Sequence, residues 1–248
     1  MSRQPRRSTT RWRTSIGVLA ASAIVSLTGC AEQLGLPGSA SKEGKTVGQV
    51  FNLYLVVAYV IGAIVVGLII YVMVSGRASR HGDGPGSQRH YNTPLEITYT
   101  VIPLLIVVAL TVVTLFTIAD VASNSSKPDL VVEVQGYQWG WRFTYADHGV
   151  VIADDGDTPP ELVLPAPATV RFNVRSDDVI HSFWVPAFRF KRDLIPGRPT
   201  SFSVDTSEFG TYDGHCAEFC GLKHATMTFT VRTVGQQDFQ TWLKDHEG

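Results

Sequence analysis

The sequence predicts a two-helix transmembrane hairpin followed by an all-β domain of sandwich or Greek-key type. Three observations carry this. Residues 47–74 and 97–119 form two runs without a charged side chain, each long enough to cross a bilayer as a helix. After Ser123-Asn124-Ser125-Ser126-Lys127-Pro128 the character changes to short runs in which apolar residues recur every second position, the period of half-buried strands. Pro159-Pro160, Pro165, Pro167, Pro196-Gly197 and Asp213-Gly214 then punctuate these runs as turns.

Residues 1–29 hold five arginines (Arg3, Arg6, Arg7, Arg11, Arg13) and no acid, and include a moderately apolar stretch at 15–28. That stretch is short for a span and fits the apolar centre of a secretory leader. It ends in Leu27-Thr28-Gly29-Cys30, which resembles the lipobox of bacterial lipoproteins. Cleavage before Cys30 would leave its thiol to carry lipid and would explain a cysteine so far from the other two; the other reading is an ordinary Cys after an uncleaved anchor. Residues 30–46 read as a polar linker, and residues 47–122 as the hairpin. Arg77 and Arg80 close the first span, and Pro103 predicts a kink in the second. The connection carries Arg77, Arg80 and Arg89 against Asp83, so the positive-inside rule places it in the cytoplasm, with both termini of the mature chain outside. Glu96 stands at the cytoplasmic mouth of the second span. A helix start favours an acid there, and an acid at a membrane edge is equally a functional suspect.

Residues 123–248 make the β domain. Val132/Val134, Val170/Phe172/Val174, Phe202/Val204 and Met227/Phe229/Val231 each alternate, so Met227 shares an inward face with Phe229 and Val231. Trp139 and Trp141 share a strand phase and point to one face, with Gly140 leaving the opposite face bare. Aromatic residues at this spacing read first as core. Residues 236–246 read as a short terminal helix. The chain has 21 basic and 22 acidic residues, and without the leader arginines 16 against 22. From Asp120 onward there are 18 acidic and 11 basic residues, so no basic footprint for nucleic acid is present.

The chemistry concentrates in Gly214-His215-Cys216-Ala217-Glu218-Phe219-Cys220-Gly221-Leu222-Lys223-His224-Ala225-Thr226-Met227, whose soft and borderline donors are spaced Cys-x3-Cys-x3-His-x2-Met. Two thiolates, an imidazole and a thioether favour copper over magnesium or calcium. Zinc accepts Cys and His but leaves Met227 idle. A mononuclear blue site needs one thiolate, whereas two thiolates four residues apart could bridge two copper ions. A disulfide between Cys216 and Cys220 is the reading that an oxidising compartment adds. A second imidazole is needed, and His181 in Asp177-Asp178-Val179-Ile180-His181 is the best candidate. His215 reads as a polar loop residue.

The spacing of this loop, with a histidine the same distance upstream, resembles subunit II of the cytochrome c oxidases. So do Gly136-Tyr137-Gln138-Trp139-Gly140-Trp141, Asp193-Leu194-Ile195-Pro196-Gly197-Arg198 and Thr93-Pro94-Leu95-Glu96, and the likeness runs over residues 47–234. The resemblance implies a cupredoxin-like Greek-key domain on the outer face of a bacterial plasma membrane. It implies a binuclear copper A centre held by His181, Cys216, Cys220, His224 and Met227 with the carbonyl of Glu218, both cysteines bridging. It implies that the Glu218 carboxylate reaches a magnesium ion at the boundary with subunit I, and that Glu96 lies at the mouth of a proton pathway there. Trp139 would face the electron donor, and Asp178 would belong to an acidic rim that attracts a lysine-rich cytochrome; the plainer reading of Asp178 is a solvated turn. Relatives often carry an aromatic residue where this chain has Gly140, a departure that could open the local surface.

The implied function is to accept electrons from cytochrome c, or from the cytochrome domain of a bc complex, and pass them to subunit I. Haem belongs to subunit I only, where haem a and a haem–copper centre reduce oxygen with proton pumping; subunit III and membrane lipid complete the expected partners. Quinol oxidase subunit II shares the architecture but lacks the copper ligands. Nitrous oxide reductase carries a similar loop but needs a large second catalytic domain. A copper delivery protein needs neither the buried carbonyl-plus-Met constellation nor the paired tryptophans.

Overall fold

The computed structural model describes residues 38–76 and 90–247. The leader, Cys30, the first part of the expected linker, and the connection bearing Arg77, Arg80 and Arg89 lie outside the described residues.

Helix α1 spans Lys42–Ser75 and helix α2 spans Thr93–Val121, both long enough and apolar enough to cross a membrane. At 1.5 Å per residue they measure ~50 and ~43 Å, more than a hydrocarbon core of ~30 Å, so their ends project beyond it. α1 therefore begins at Lys42, inside the expected linker, and not at Val47. The reason is local: its charged first turn is spent on the β domain. Glu43 accepts the Asp205 backbone N–H (3.0 Å), and Lys45 reaches Glu208 (2.6 Å) and Ser207 Oγ (3.1 Å). Ser41 caps the helix by accepting from Gly44 N (3.0 Å) while its hydroxyl donates to Phe188 O (3.1 Å). α2 has Asn92 as its N-cap and continues through Pro103. Tyr54 of α1 clasps α2, its hydroxyl donating to Leu110 O (3.0 Å) and touching Thr114 Oγ1.

Ten strands follow: β1 (Leu130–Tyr137), β2 (Gly140–Tyr145), β3 (Val150–Ala153), β4 (Glu161–Pro165), β5 (Ala168–Ser176), β6 (His181–Val185), β7 (Phe190–Leu194), β8 (Thr200–Thr206), β9 (Gly210–Cys216) and β10 (Thr228–Val234). They form two sheets, ordered β3-β2-β1-β5-β8 and β4-β10-β9-β6-β7. The chain repeatedly crosses between the sheets, as a Greek-key sandwich requires. The pairs β1–β5 and β4–β10 are parallel and the rest antiparallel. All the alternating apolar residues named above are buried between the sheets. An aromatic stack of Phe183 on Phe229 (4.9 Å), Phe172 on Phe202 (5.1 Å) and Phe190 on Phe202 (4.4 Å) fills the centre, with Trp141 edge-on to Phe229 (5.3 Å).

Tyr145 ties the two sheets together at the far end. Its buried hydroxyl donates to Val163 O (2.8 Å) and accepts from Val163 N (2.9 Å), and burial pushes its pKa up. Helix α3, Gln236–His246, covers this end with buried Phe239 and Leu243.

The tryptophans do not share a face. The pairing of Tyr137 with Gly140 leaves Gln138 and Trp139 as a two-residue turn, so the strand period stops before Trp139. Trp141 is fully buried in β2, whereas Trp139 sits half-buried at the tip. Gly140 is likewise not bare: a Cβ there would lie 2.8 Å from Asp154 Cβ and 2.9 Å from the Tyr137 hydroxyl.

Candidate metal centre

The predicted donors meet at one end of the sandwich. His181 opens β6, Cys216 closes β9, and Cys220, His224 and Met227 come from the loop that joins β9 to β10. Backbone bonds shape that loop: Cys216 N donates to Met227 O (3.0 Å), Ala217 N to Ser182 O (3.1 Å) and His224 N to Gly221 O (3.2 Å). Gly221 takes φ +119°, a conformation that a side chain would strain, and a Cβ there would stand 3.0 Å from Trp139. Gly136 admits the His181 ring, whose atoms would lie 3.2 Å from a Cβ at that position.

Both cysteines are free thiols, with Sγ atoms 3.8 Å apart, far beyond a disulfide bond. Each sulfur has its own imidazole and its own weak donor. Cys216 Sγ stands 3.8 Å from His181 Nδ1 and 3.3 Å from the Glu218 carbonyl oxygen. Cys220 Sγ stands 3.7 Å from His224 Nδ1 and 3.8 Å from Met227 Sδ. His181, Cys216, Cys220 and Met227 are all buried. This donor set fits two soft metal ions sharing two thiolates, one imidazole and one weak ligand apiece. It fits a single zinc poorly, because the thioether and carbonyl would have no use.

The electrostatics favour a charged pair at the His181 side. Burial works against ionising Cys216, but the His181 imidazole, the Ser182 and Glu218 backbone and His224 outweigh it and pull the thiol down. Burial and the neighbouring Cys216 charge push the Cys220 thiol up. Burial alone would lower the His181 pKa, and Cys216 together with Asp178 raises it.

Asp178 lies exposed in the turn before β6, yet both of its carboxylate oxygens are engaged. Its Oδ1 lies 2.8 Å from His181 Nε2 and its Oδ2 accepts from Gln138 N at 2.6 Å, while Val179 N also donates to it (2.6 Å). Burial opposes its ionisation, and these bonds, His181 first, hold its pKa below the ordinary value. The carboxylate orients the imidazole through the nitrogen remote from the thiol, a common arrangement behind ligand histidines. Neighbouring Asp177 is paired with Arg175 (3.0 Å) and bonded to Gln135.

The Glu218 side chain turns away from the thiols and accepts from Lys191 Nζ (2.7 Å), which also meets Asp193 (3.3 Å). Trp139 Nε1 and Gln138 Nε2 both donate to the Cys220 carbonyl, at 3.1 and 2.8 Å. Phe219 and Leu222 protrude from the loop, 82 and 89 % exposed. His215 faces away, paired across the sheet with Trp184. Glu96 lies apart from this cluster, in the first turn of α2, where its carboxylate accepts from Asn92 N (3.0 Å) beside an open cavity of about 250 Å³ lined by His90, Tyr91 and Tyr99. The positioning parts played by Gly136, Gln138, Asp178 and Lys191 escape sequence reasoning. The Gly136–Trp141 motif marks the first two without showing what they touch.

Residues 156–234 match the family model of cytochrome C oxidase subunit II, periplasmic domain, and residues 29–117 match that of cytochrome C oxidase subunit II, transmembrane domain. Among curated proteins, a probable cytochrome c oxidase subunit 2 of Streptomyces avermitilis is 34% identical over 264 residues, covering 90% of this chain and 83% of the relative. The cytochrome c oxidase subunit 2 of Corynebacterium glutamicum is 30% identical, with 85% and 75% covered. Among solved structures, the periplasmic domain of subunit II of cytochrome oxidase from Bradyrhizobium japonicum aligns at 32% identity and a TM-score of 0.45, covering 48% of this chain and 94% of that one.

Proposed function

The chain belongs to the cytochrome c oxidase subunit II family, and from that premise we propose that it accepts electrons from a cytochrome c and passes them to subunit I of a haem–copper oxidase. The observation that carries this reading is the doubled donor set: two thiols 3.8 Å apart, each with its own histidine and its own weak donor. His181, Cys216, Cys220, His224, Met227 and the Glu218 carbonyl would hold a copper A pair. When bound, such a pair takes up and releases one electron at a time with little change of shape.

The residues around the site each have a task. The sandwich excludes water from the sulfurs and fixes their separation, and Asp178 holds the His181 ring so that Nδ1 faces Cys216. Trp139 offers an indole half-exposed at the surface and hydrogen-bonded to a thiol-bearing residue, which suits the point where electrons arrive. The exposed part of Asp178 joins the acidic rim that a cationic donor would meet, whether soluble cytochrome c or a cytochrome domain of a bc complex. Lys191 meets one oxygen of the Glu218 carboxylate, and the other would serve a magnesium ion at the subunit I boundary.

Haem a and the oxygen-reducing centre, with their coupled proton pumping, belong to subunit I, and subunit III completes the core. Glu96, at the opposite end of α2 from the metal site, is assigned to the mouth of a proton pathway. Cys30 is assigned to lipidation, which adds an anchor to two spans in a bacterial plasma membrane, with the copper domain outside. The decisive experiment is copper content and electron paramagnetic resonance of the purified chain. Two coppers sharing one unpaired electron are expected, and one copper per chain with a mononuclear spectrum would refute the assignment.

A further inference from the structure

Gln138 belongs to neither of the segments that carry the sulfur and nitrogen donors, yet it touches both. It sits in the turn between β1 and β2, in the sheet opposite the one that holds His181 and Cys216. Its backbone N–H donates to Asp178 Oδ2 at 2.6 Å, and Asp178 Oδ1 stands 2.8 Å from His181 Nε2. Its side-chain Nε2 donates to the Cys220 carbonyl at 2.8 Å. We infer that Gln138 is a positioning residue for the metal centre: a staple across the open end of the sandwich that fixes the His181 imidazole and the Cys220 thiol relative to each other. The inference rests on the copper assignment above for its redox consequence, but not for its geometry.

Two further features point to the same staple. Among the described residues, the hydrogen bonds to the Cys220 carbonyl come from Gln138 Nε2 and Trp139 Nε1. Cys220 is buried, and a buried carbonyl left without donors is costly, so the loop settles where these donors are. Gly221, next in the chain, lets the loop come this close: a Cβ there would lie 3.3 Å from Gln138 Nε2 and 3.0 Å from the Trp139 ring. Trp139 pins only the carbonyl. Of the two, Gln138 has one hook on each side, the backbone toward His181 and the side chain toward Cys220. Outer-shell bonds of this kind hold ligands within the few tenths of an ångström on which a metal site's potential depends.

The test uses the full chain in detergent, as wild type, Gln138→Leu and Gln138→Glu. Leucine keeps the bulk and the backbone bond to Asp178 but removes the side-chain donor; glutamate keeps the shape and sets an oxygen against the Cys220 carbonyl. In the copper-free chain, alkylation of the two buried thiols by iodoacetamide should quicken by roughly three- to tenfold in Gln138→Leu, the factor that one neutral hydrogen bond supplies, and more in Gln138→Glu. In the copper-loaded chain, metal content should stay at the wild-type level while the near-infrared band, the hyperfine pattern and the midpoint potential shift, with little change in melting temperature. Unchanged thiol reactivity and spectrum in folded variants would overturn the staple. A drop in melting temperature without a spectral shift in the loaded protein would also overturn it, by making Gln138 a matter of stability alone. Should Gln138→Leu fail to fold, Gln138→Glu carries the same readouts. If the wild type binds something other than a copper pair, the functional assignment fails, and the thiol rates still decide whether Gln138 holds the loop.

Discussion

The indole N–H of Trp139 donates to the carbonyl oxygen of Cys220 at 3.1 Å, so a ring half-exposed at the tip of a β-hairpin is one hydrogen bond away from a thiol-bearing residue. Substituting Trp139→Phe should remove that bond and leave most of the packing against Gly221. Copper content should be unchanged, and stability should fall by about 1 kcal/mol, the worth of one hydrogen bond. Electron uptake from the reduced donor should slow by roughly tenfold or more, equivalent to about 1.4 kcal/mol on the barrier, while transfer onward to haem keeps its rate. Flash reduction resolves the two steps. Normal uptake in a fully loaded variant would remove Trp139 from the path, and lost copper would make it a core residue.

Gly214 lies opposite Phe229 in the β9–β10 ladder, and a Cβ at Gly214 would overlap the Phe229 ring. Phe229 is wedged between Phe183 and Trp141, so it has no room to retreat. Gly214→Ala should cost about 1–3 kcal/mol through overpacking and lower copper retention with it, since Cys216 is two residues away. A thermal melt of the copper-free and loaded chains checks this. A variant that melts like wild type would show that the aromatic stack yields more easily than its geometry implies.

The Ser41 hydroxyl has two partners, Phe188 O and Gly44 N, and the residue is fully buried. Ser41→Ala should therefore cost about 1–2 kcal/mol, the range for a helix cap that is also a buried donor. The predicted signature is local: proteolysis near the start of α1 should quicken while the copper spectrum is unaltered. Equal protection of the two proteins would assign the contact no weight.

Asp178 and the donor can be separated by salt. Asp178→Asn should disturb the orientation of His181 and weaken copper binding by roughly 10–100-fold, the range for a ligand's hydrogen-bonded partner. The acid surplus of the outer domain should make donor association slow as ionic strength rises, since exposed charges are screened beyond about 8–10 Å at physiological salt. Stopped-flow mixing at several salt concentrations measures this. A flat profile would transfer the contact to the apolar surface offered by Phe219 and Leu222.

Much of this molecule could be read before any coordinates. Charge-free runs predict both helices, because a bilayer leaves little choice. Alternating valines and phenylalanines predict the sandwich core, and the Cys-x3-Cys-x3-His-x2-Met spacing singles out a compact donor set. What stayed hidden was contact across the chain. Lys42, Glu43 and Lys45 look like linker because charge signals water, yet they extend a helix by bonding to Asp205 and Glu208. Gln138 and Trp139 look like strand residues because a period of two carries straight through a two-residue turn. Asp178 looks like a rim acid with no task inside the domain because its partners, Gln138 and His181, are revealed only by the fold.

The seam at Ala40 and Ser41 has a consequence of its own. Ala40 N donates to Ala187 O, Ser207 N donates to Ala40 O, and Ser41 bridges to Thr206 just before α1 begins. No slack joint separates this span from the sandwich. A helix answers a change of bilayer thickness by tilting, and here the tilt passes straight into the β domain as a lean. Lipid thickness thus becomes a dial on the angle at which the hairpin tip bearing Trp139 is offered to whatever approaches from outside.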